Sequence, residues 1–513
     1  MQPATPAVRR IALAAMLISL GSVASRVAGL IREGVIAGVF GASSAVDAFT
    51  AASSLTTILY DLLISGAISA ALVPVFSDYA ERDETELWRI ASTVITLALL
   101  IVSGIVLLIA WQAEPTVALL AGGFPAPIRA EATQMVRLLL PSVMLIGLAG
   151  LITALLQARQ QFLLPAFTTS AFNIGIIVGV LILNTQFGSL SMVVGVLIGA
   201  AAQVVLQLPG LRGAALRPRL ELSHPGVQQI LKLYAPVAVG VGFSVVGIIL
   251  DRNLASQVGQ NALSTMRFAT TLIQLPLGLV AAAVSFAILP TLSRQAGQDE
   301  QGFRTTLAMG LKVVLLLVLP ATIGLLALAE PVVRLLFERG AFDSSDALAT
   351  AAALRLYLPG LPAAALDQIL LFAFYARKRT LAPNLVQGAA IGFYTVTALG
   401  LLNFTPLRVE ALVLANSAQW VGHLIILALL ARGMIDLRGL RLGEATLKCG
   451  LAALAPGGVA WGMAQLLAPL GSFAQVIGAG AVGGCVYLGI CWILRVEAIT
   501  FAEQIIRRRL KRS

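Results

Sequence analysis

Charge is the scarcest commodity in this sequence. Of 513 residues, only 12% are Asp, Glu, Lys or Arg, and only two are histidine. A soluble chain runs near a quarter charged, so a chain this poor in charge and 58% hydrophobic is not built to sit in water. Cysteine is almost absent too. Cys449, Cys485 and Cys491 fall in late apolar segments at irregular spacing, which suggests neither a disulfide framework nor a metal site and leaves them as packing residues. There is no glycine-rich phosphate loop ending in lysine, and no cluster with metal-ligand spacing. The loops are too short for an ATPase domain. No catalytic constellation is visible, so the expectation is a protein that is not an enzyme and holds no metal or cofactor. If it transports, its energy comes from an ion gradient, the membrane potential or substrate flux.

What the chain has instead is long apolar runs. About twenty apolar residues cross the hydrocarbon core, and in lipid every backbone polar group must be satisfied internally, so such runs are helices. The spans are expected at 11–39, 44–76, 86–112, 133–158, 162–184, 189–209, 227–252, 262–291, 305–329, 346–376, 383–402, 407–431, 443–468 and 473–494. The first is read as a retained helix rather than a signal peptide, because its hydrophobicity continues past residue 20. The tail, 498–512, is expected as a basic cytoplasmic surface helix.

The net charge of +11 does not indicate nucleic acid, since the basic residues are scattered between apolar runs as topology signals. With the N-terminus inside, Arg129, Arg334, Arg339 and Arg408 are the basic residues of the outer loops, and far more lie in the inner loops and termini. That bias puts both termini in the cytoplasm.

The chain repeats itself. Ser69-Ala70-Ala71-Leu72-Val73-Pro74 recurs as Ser285-Phe286-Ala287-Ile288-Leu289-Pro290, and Ala113-Glu114-Pro115 as Ala329-Glu330-Pro331, each 216 residues later. Arg137, Pro141, Ala158-Arg159 and Pro165 recur as Arg355, Pro359, Ala376-Arg377 and Pro383, now 218 residues later. The offset spans an even number of helices, so the copies keep one orientation and are related by an axis along the membrane normal. The fold class expected is all-α and integral to the membrane, with about fourteen transmembrane helices. Two six-helix lobes, 1–220 and 221–435, form a parallel pseudo-twofold repeat, and 436–513 adds two C-terminal helices and the basic tail. A cavity between lobes and alternating access follow as expectations.

Charges inside spans are expensive and mark function. Helix 1 carries Arg26, Arg32 and Glu33. In helix 2, Asp47, Ser54, Thr57, Asp61 and Ser65 form one polar stripe. Helix 8, its repeat partner, carries Arg267, Thr270, Thr271 and Gln274. The arginines suit an anionic, phosphate-bearing substrate. The competing reading pairs these charges with one another, Arg26 with Asp61 for instance, as a purely structural device. Asp251-Arg252 reads as a rim pair at a helix end, and Lys312 as reaching the interface. Asp367 reads as an ion or proton site or, equally, as the cap of a buried polar network, and His423 as a packed, hydrogen-bonded histidine rather than a proton relay. Gly21 and Gly29 allow helix 1 either to bend or to pack closely.

Ser25-Arg26-Val27-Ala28-Gly29-Leu30-Ile31-Arg32-Glu33, Phe40-Gly41-Ala42, Val46-Asp47-Ala48-Phe49 and Gly66–Pro74 resemble the opening of the MurJ (MviN) family of lipid II flippases. Leu335-Leu336-Phe337-Glu338-Arg339-Gly340-Ala341-Phe342 and Phe374-Tyr375-Ala376-Arg377 are similar to that family's second-lobe signatures. The resemblance covers essentially the whole chain. It implies the multidrug/oligosaccharidyl-lipid/polysaccharide exporter superfamily, and a bacterial inner-membrane protein of peptidoglycan synthesis and cell-wall biogenesis. The partners it implies are lipid II or a related polyprenyl-diphosphate glycolipid, together with membrane lipids. It further implies a cationic central cavity, a lipid-tail groove beside the last two helices, and dependence on membrane potential or Na+. A monomer is expected to suffice.

Arg26 and Arg32 match cavity arginines of the family, Asp47 an acidic position of helix 2, and Glu33 stands where aspartate is common. The sequence departs where Tyr60-Asp61 replace an arginine pair. In helix 8, Thr271 stands for an arginine and Gln274 for a glutamate. Arg267, one turn earlier on the same face, is the residue available to substitute. These departures leave a flippase for another lipid-linked oligosaccharide as the alternative.

Overall fold

A computed structural model describes residues 6–62, 71–379, 381–433, 439, 441–494 and 496, with the side chains of 6–15, 236–240, 282, 286 and 381 excepted. The expected tail helix at 498–512 and Ser65 of the helix-2 stripe lie outside the described residues. Within them the chain is helical, with one isolated antiparallel bridge between Arg339 and Phe342. Ten of the described helices are long and apolar enough to cross a membrane. The other four expected spans correspond to α1 (Pro6–Phe40), to α2 (Ser44–Tyr60) with α3 (Val73–Arg82), to Pro225–Gln257 and to Leu442–Leu466.

The chain divides into two compact units. One comprises residues 1–264 with 339–342, and the other 265–338 with 343–513.

In the first unit α1 and α2 are followed by α4 (Glu84–Trp111), α5 (Ala113–Ala121), α6 (Ala126–Ala158), α7 (Leu163–Phe187), α8 (Leu190–Gln207) and α9 (Pro225–Gln257). Glycines set how closely α1, α7 and α8 approach. Gly175 and Gly179 share one face of α7, and Gly195 and Gly199 share one face of α8. A Cβ on Gly175 would stand 2.3 Å from the Gly199 Cα, and one on Gly179 2.3 Å from the Gly195 Cα. In lipid, where apolar burial drives little, such small-residue faces let backbones meet and gain dispersion contacts. Gly21 does the same for α1, since a Cβ there would lie 2.2 Å from the Ala166 carbonyl of α7. Close packing, rather than bending, is the role the structure gives Gly21. By contrast, a Cβ on Gly29 would make only ordinary contact with Asn173.

The link 212–224 lies along α4. The Arg217 and Arg219 amides donate to Ser92 and Thr96 at 3.0 and 3.3 Å. Arg89 bridges Glu86 and Glu221. His224 accepts the Gly226 amide at Nδ1, so its proton sits on Nε2 and points at Glu86, 2.7 Å away. The Arg89 guanidinium holds the Glu221 carboxyl below the usual carboxylate range, mainly through their hydrogen bond. A carboxyl with a lowered folded-state pKa contributes above its unfolded value and loses that contribution as pH falls through the folded one. Acidification below about pH 4 should therefore release this link first, seen as faster hydrogen exchange at Arg217 and Arg219 than in α4 itself.

The second unit contains most of α10 (Ala262–Pro276), then α11 (Ala282–Gln295), α12 (Glu300–Ala327), α13 (Ala329–Phe337), α14 (Ser344–Tyr357), α15 (Leu361–Ala376), α16 (Leu381–Phe404) and α17 (Val409–Arg432). After these come α18 (Leu442–Leu466), the short α19 (Gly471–Ala474) and α20 (Gly480–Ile493). Cys449 and Cys491 are buried beside Tyr487, as packing residues should be, while Cys485 is exposed on α20.

The sequence repeat reappears element by element within each unit. Asp83 caps a 28-residue helix and so does Asp299. Each helix leads into a nine-residue helix opening Ala-Glu-Pro. Then Arg159 pairs with Glu84 and lies over the Trp88 ring, and its counterpart Arg377 pairs with Glu300 and lies over Phe303. The residues that follow these arginines, Gln160 and Lys378, both adopt left-handed backbone, φ +61° and +58°. Part of what repeats in the sequence is a helix-end clasp, which explains why Arg159 and Arg377 stand in both copies.

Candidate functional site

In the first unit the close approach of α1 to α7 places Arg32 beside Asn173. The Arg32 guanidinium donates from Nε and Nη2 to Glu33 Oε1 at 3.0 and 2.6 Å, and from Nη1 to Asn173 Oδ1 at 2.8 Å. The Asn173 amide in turn donates to the Ser25 carbonyl at 3.1 Å. Glu33 is 1% exposed and Arg32 24%. The carboxylate is therefore sunk into the bundle and holds the arginine by one side. This suits a cation kept ready for a ligand, since a guanidinium has more donors than these partners use. Arg26, half-buried and two turns earlier on α1, lies next to Ser25. A cavity of about 200 Å³ opens there, lined by Ser22, Ser25, Gln157 and Thr169 among others.

Asp47 is 1% exposed on α2. Its carboxylate accepts the Ser264 amide at 2.7 Å and lies within hydrogen-bonding reach of the Ser264 hydroxyl and the Asn261 amide. That caps the start of α10, where unsatisfied amides favour an anion. Asp47 is thus held to a helix start. Asp61 follows the last turn of α2, half-buried. The stripe residue Ser54 bonds back to the Thr50 carbonyl at 2.7 Å and receives Arg252 Nε at 3.1 Å. Arg252 also pairs with Asp251 at 3.4 Å. It is therefore an arginine on the helix-2 stripe as well as a partner of its neighbour.

The loop Arg339–Phe342, part of the sequence signature, belongs to this unit. The Ala341 amide donates to the Gly38 carbonyl at 2.8 Å, and Gly340 sits at φ +57° with its Cα hydrogens against that carbonyl.

In the second unit, Arg267 and Thr271 are half-buried on α10 and Gln274 is exposed. Thr270 and Thr271 donate to backbone carbonyls one turn back, both reaching the Arg267 carbonyl at 3.0 Å. Their hydroxyl protons are used by the helix, and what they offer a ligand is acceptor oxygen. Lys312 is 6% exposed, buried in α12 rather than reaching an interface. An apolar cavity of about 370 Å³ lies among α12, α18 and α20, lined by Pro320, Gly324, Pro456, Gly457, Gly483 and Tyr487 among others. The Tyr487 hydroxyl is turned away to the Leu316 carbonyl, 2.7 Å. Asp367 and His423, read separately in the sequence, are hydrogen-bonded at 2.6 Å. Among the described residues no group of three or more His, Cys, Asp and Glu side chains could hold a metal ion.

Asn173 and Ser264 are the site residues that the sequence did not single out, and Arg252 it read only as half of a rim pair. Asn173 is a side-chain amide in the middle of a span, the signal that could have found it.

Comparison with known proteins decides the family. The model described as lipid II flippase MurJ matches residues 36–477. The chain belongs to the MurJ family. It is 32% identical over 411 residues to the lipid II flippase MurJ of Burkholderia cenocepacia, covering 77% of this chain and 78% of that one. It is 27% identical over 493 residues to the probable lipid II flippase MurJ of Thermotoga maritima, covering 96% and 98%. A solved MurJ in an inward closed conformation matches with TM-score 0.81 and 26% identity, over 94% of this chain and 100% of that one. A multidrug transporter of the MATE family, inward-facing, matches at TM-score 0.67 and 14% identity over 82% and 96%, which shows a shared fold. The chain is a multi-pass membrane protein of the MurJ family.

Proposed function

We propose that this protein flips lipid II, the lipid-linked peptidoglycan precursor, from the inner to the outer leaflet of the bacterial cytoplasmic membrane. The observation that carries the reading is the built Arg32–Glu33–Asn173 cluster, in a chain that belongs to this family. A diphosphate head group cannot cross hydrocarbon bare. Arg26 and Arg32 replace its hydration, Glu33 holds Arg32 in place, and Arg267, Thr271 and Gln274 contribute from the second lobe. Asp61 offsets the cations between substrates, and Asp47 fixes the start of α10. The prenyl tail stays in lipid or enters the apolar cavity by α18 and α20. Lobes 1–220 and 221–435 alternate access, with 436–513 serving the tail, both termini in the cytoplasm, and a monomer sufficient. No cofactor is needed. The membrane potential drives the cycle, alone or with a coupled cation such as Na+.

The departures at Tyr60-Asp61, Thr271 and Gln274 favour, as a second reading, another lipid-linked oligosaccharide on the same diphosphate carrier. In proteoliposomes, Arg26→Ala should abolish flipping of fluorescent lipid II while leaving thermal stability unchanged. Flipping at the wild-type rate by this variant would refute the proposed role of Arg26. A wild-type chain that flips only a different diphosphate-linked saccharide would establish the second reading.

A further inference from the structure

The second unit holds a titratable pair that the head-group site does not use. Asp367 Oδ1 and His423 Nδ1 are 2.6 Å apart, with side chains 19% and 8% exposed. They come from α15 and α17, two spans that pack together. Asp367 lies nine residues before the end of α15 and His423 nine before the end of α17. At 1.5 Å per residue that is about 14 Å for each, close to the middle of a hydrocarbon core about 30 Å thick. The pair is therefore at matched depth, where ionisable side chains are expensive and line ion or proton paths.

The surroundings leave the pair to set its own charge. Tyr375, two turns along α15, lies in electrostatic reach of Asp367. Tyr357 stacks on Trp420, a turn before His423, and Tyr394 of α16 is buried. All three are neutral phenols at working pH. Lys312 of α12 does not face the pair. Gly310 turns towards Ile288 of α11 and Ile369 of α15, and Lys312, two residues on, is about 200° round the helix, in reach of Glu444 on α18. Arg355 of α14 is exposed, and Glu410 and Arg432 sit at the two ends of α17.

We propose that Asp367 and His423 form a proton-binding site, and that the proton it carries is the cation coupled to transport. With the carboxylate ionised and the imidazole neutral, Nδ1–H donates to Oδ1 and the pair carries one negative charge. A proton taken from water onto Nε2 gives imidazolium beside carboxylate, net zero, and its return to water on the other side restores the first state. A net charge at mid-bilayer is costly, and an adjacent, hydrogen-bonded ion pair much less so. The dry site therefore favours the loaded form and the empty form needs water. That is the property a coupled site requires.

The role in coupling rests on the transport reading above; proton binding does not. The chain has two histidines, so His224→Gln leaves one ring to observe. In lipid nanodiscs, 15N-histidine NMR of that variant should show the His423 ring taking up a proton as the pH is lowered. Asp367→Asn should move the midpoint down by at least about one unit, a tenfold loss in proton affinity. An unshifted midpoint, or a ring that Na+ rather than pH perturbs, overturns the site. In proteoliposomes, an imposed proton gradient should change the wild-type lipid II flipping rate severalfold, with no gradient response in Asp367→Asn. Flipping that ignores the gradient overturns the coupling and leaves the flippase reading standing. A titrating pair in a wild-type chain that flips no lipid II supports the site and sinks the flippase reading instead.

Discussion

Glu33→Ala should be among the most damaging single changes in the first unit, costing about 3 kcal/mol of stability and most of the transport. Glu33 is almost fully buried and takes two of the Arg32 donors on one oxygen. Its removal leaves the part-buried guanidinium with the Asn173 carbonyl as its remaining described partner. Breaking one side of a buried pair costs far more than the pair contributes when intact. Glu33→Gln keeps an acceptor of the same length and should retain most of the stability while slowing transport. Thermal denaturation in detergent and a flipping assay, run on both variants, separate the two effects. Equal stability for Ala and Gln would mean that the carboxylate does not hold Arg32.

Gly340→Ala is the second large effect. At φ +57° an alanine is strained by about 1–2 kcal/mol, and its Cβ would stand 2.2 Å from the Gly38 carbonyl oxygen. That obstacle is backbone and cannot swing aside. The loop must lift, and the Ala341 hydrogen bond to Gly38 is lost with it, about 1 kcal/mol more. Gly38→Ala is the control. A Cβ there comes nearest the Arg339 side chain, at 3.0 Å, which can shift, and reaches the Arg339 carbonyl only at 3.7 Å, an ordinary contact. Hydrogen exchange at Ala341 should rise sharply in Gly340→Ala and little in Gly38→Ala; similar exchange in both would contradict the close-approach argument.

The helical class was legible because lipid imposes one rule on every span. The repeat was legible at Arg159 and Arg377 because the helix-end clasp needs an arginine in both copies, while its acidic partners Glu84 and Glu300 and the caps Asp83 and Asp299 emerged only in the structure. Side-chain partnerships across the chain were not legible. Arg32 and Glu33 could be singled out as charges in a span, but Asn173 lies far along the chain and its role depends on the glycine-mediated approach of α7 to α1. Asp47 was found as an acidic position, yet its partner is a backbone amide, which no residue type announces. His423 and Asp367 each read as isolated polar residues, because helix rotation decides whether they meet. Lys312 read as reaching an interface because periodicity alone does not say which side of a span faces its neighbours.

The most direct test of the flippase assignment is rescue of a bacterium depleted of its own lipid II flippase, with outer-leaflet lipid II quantified in the same cells. The account predicts that the wild-type chain restores growth and lipid II exposure, and that Arg26→Ala at equal membrane expression restores neither. Good expression of the wild-type chain with no lipid II in the outer leaflet would contradict it.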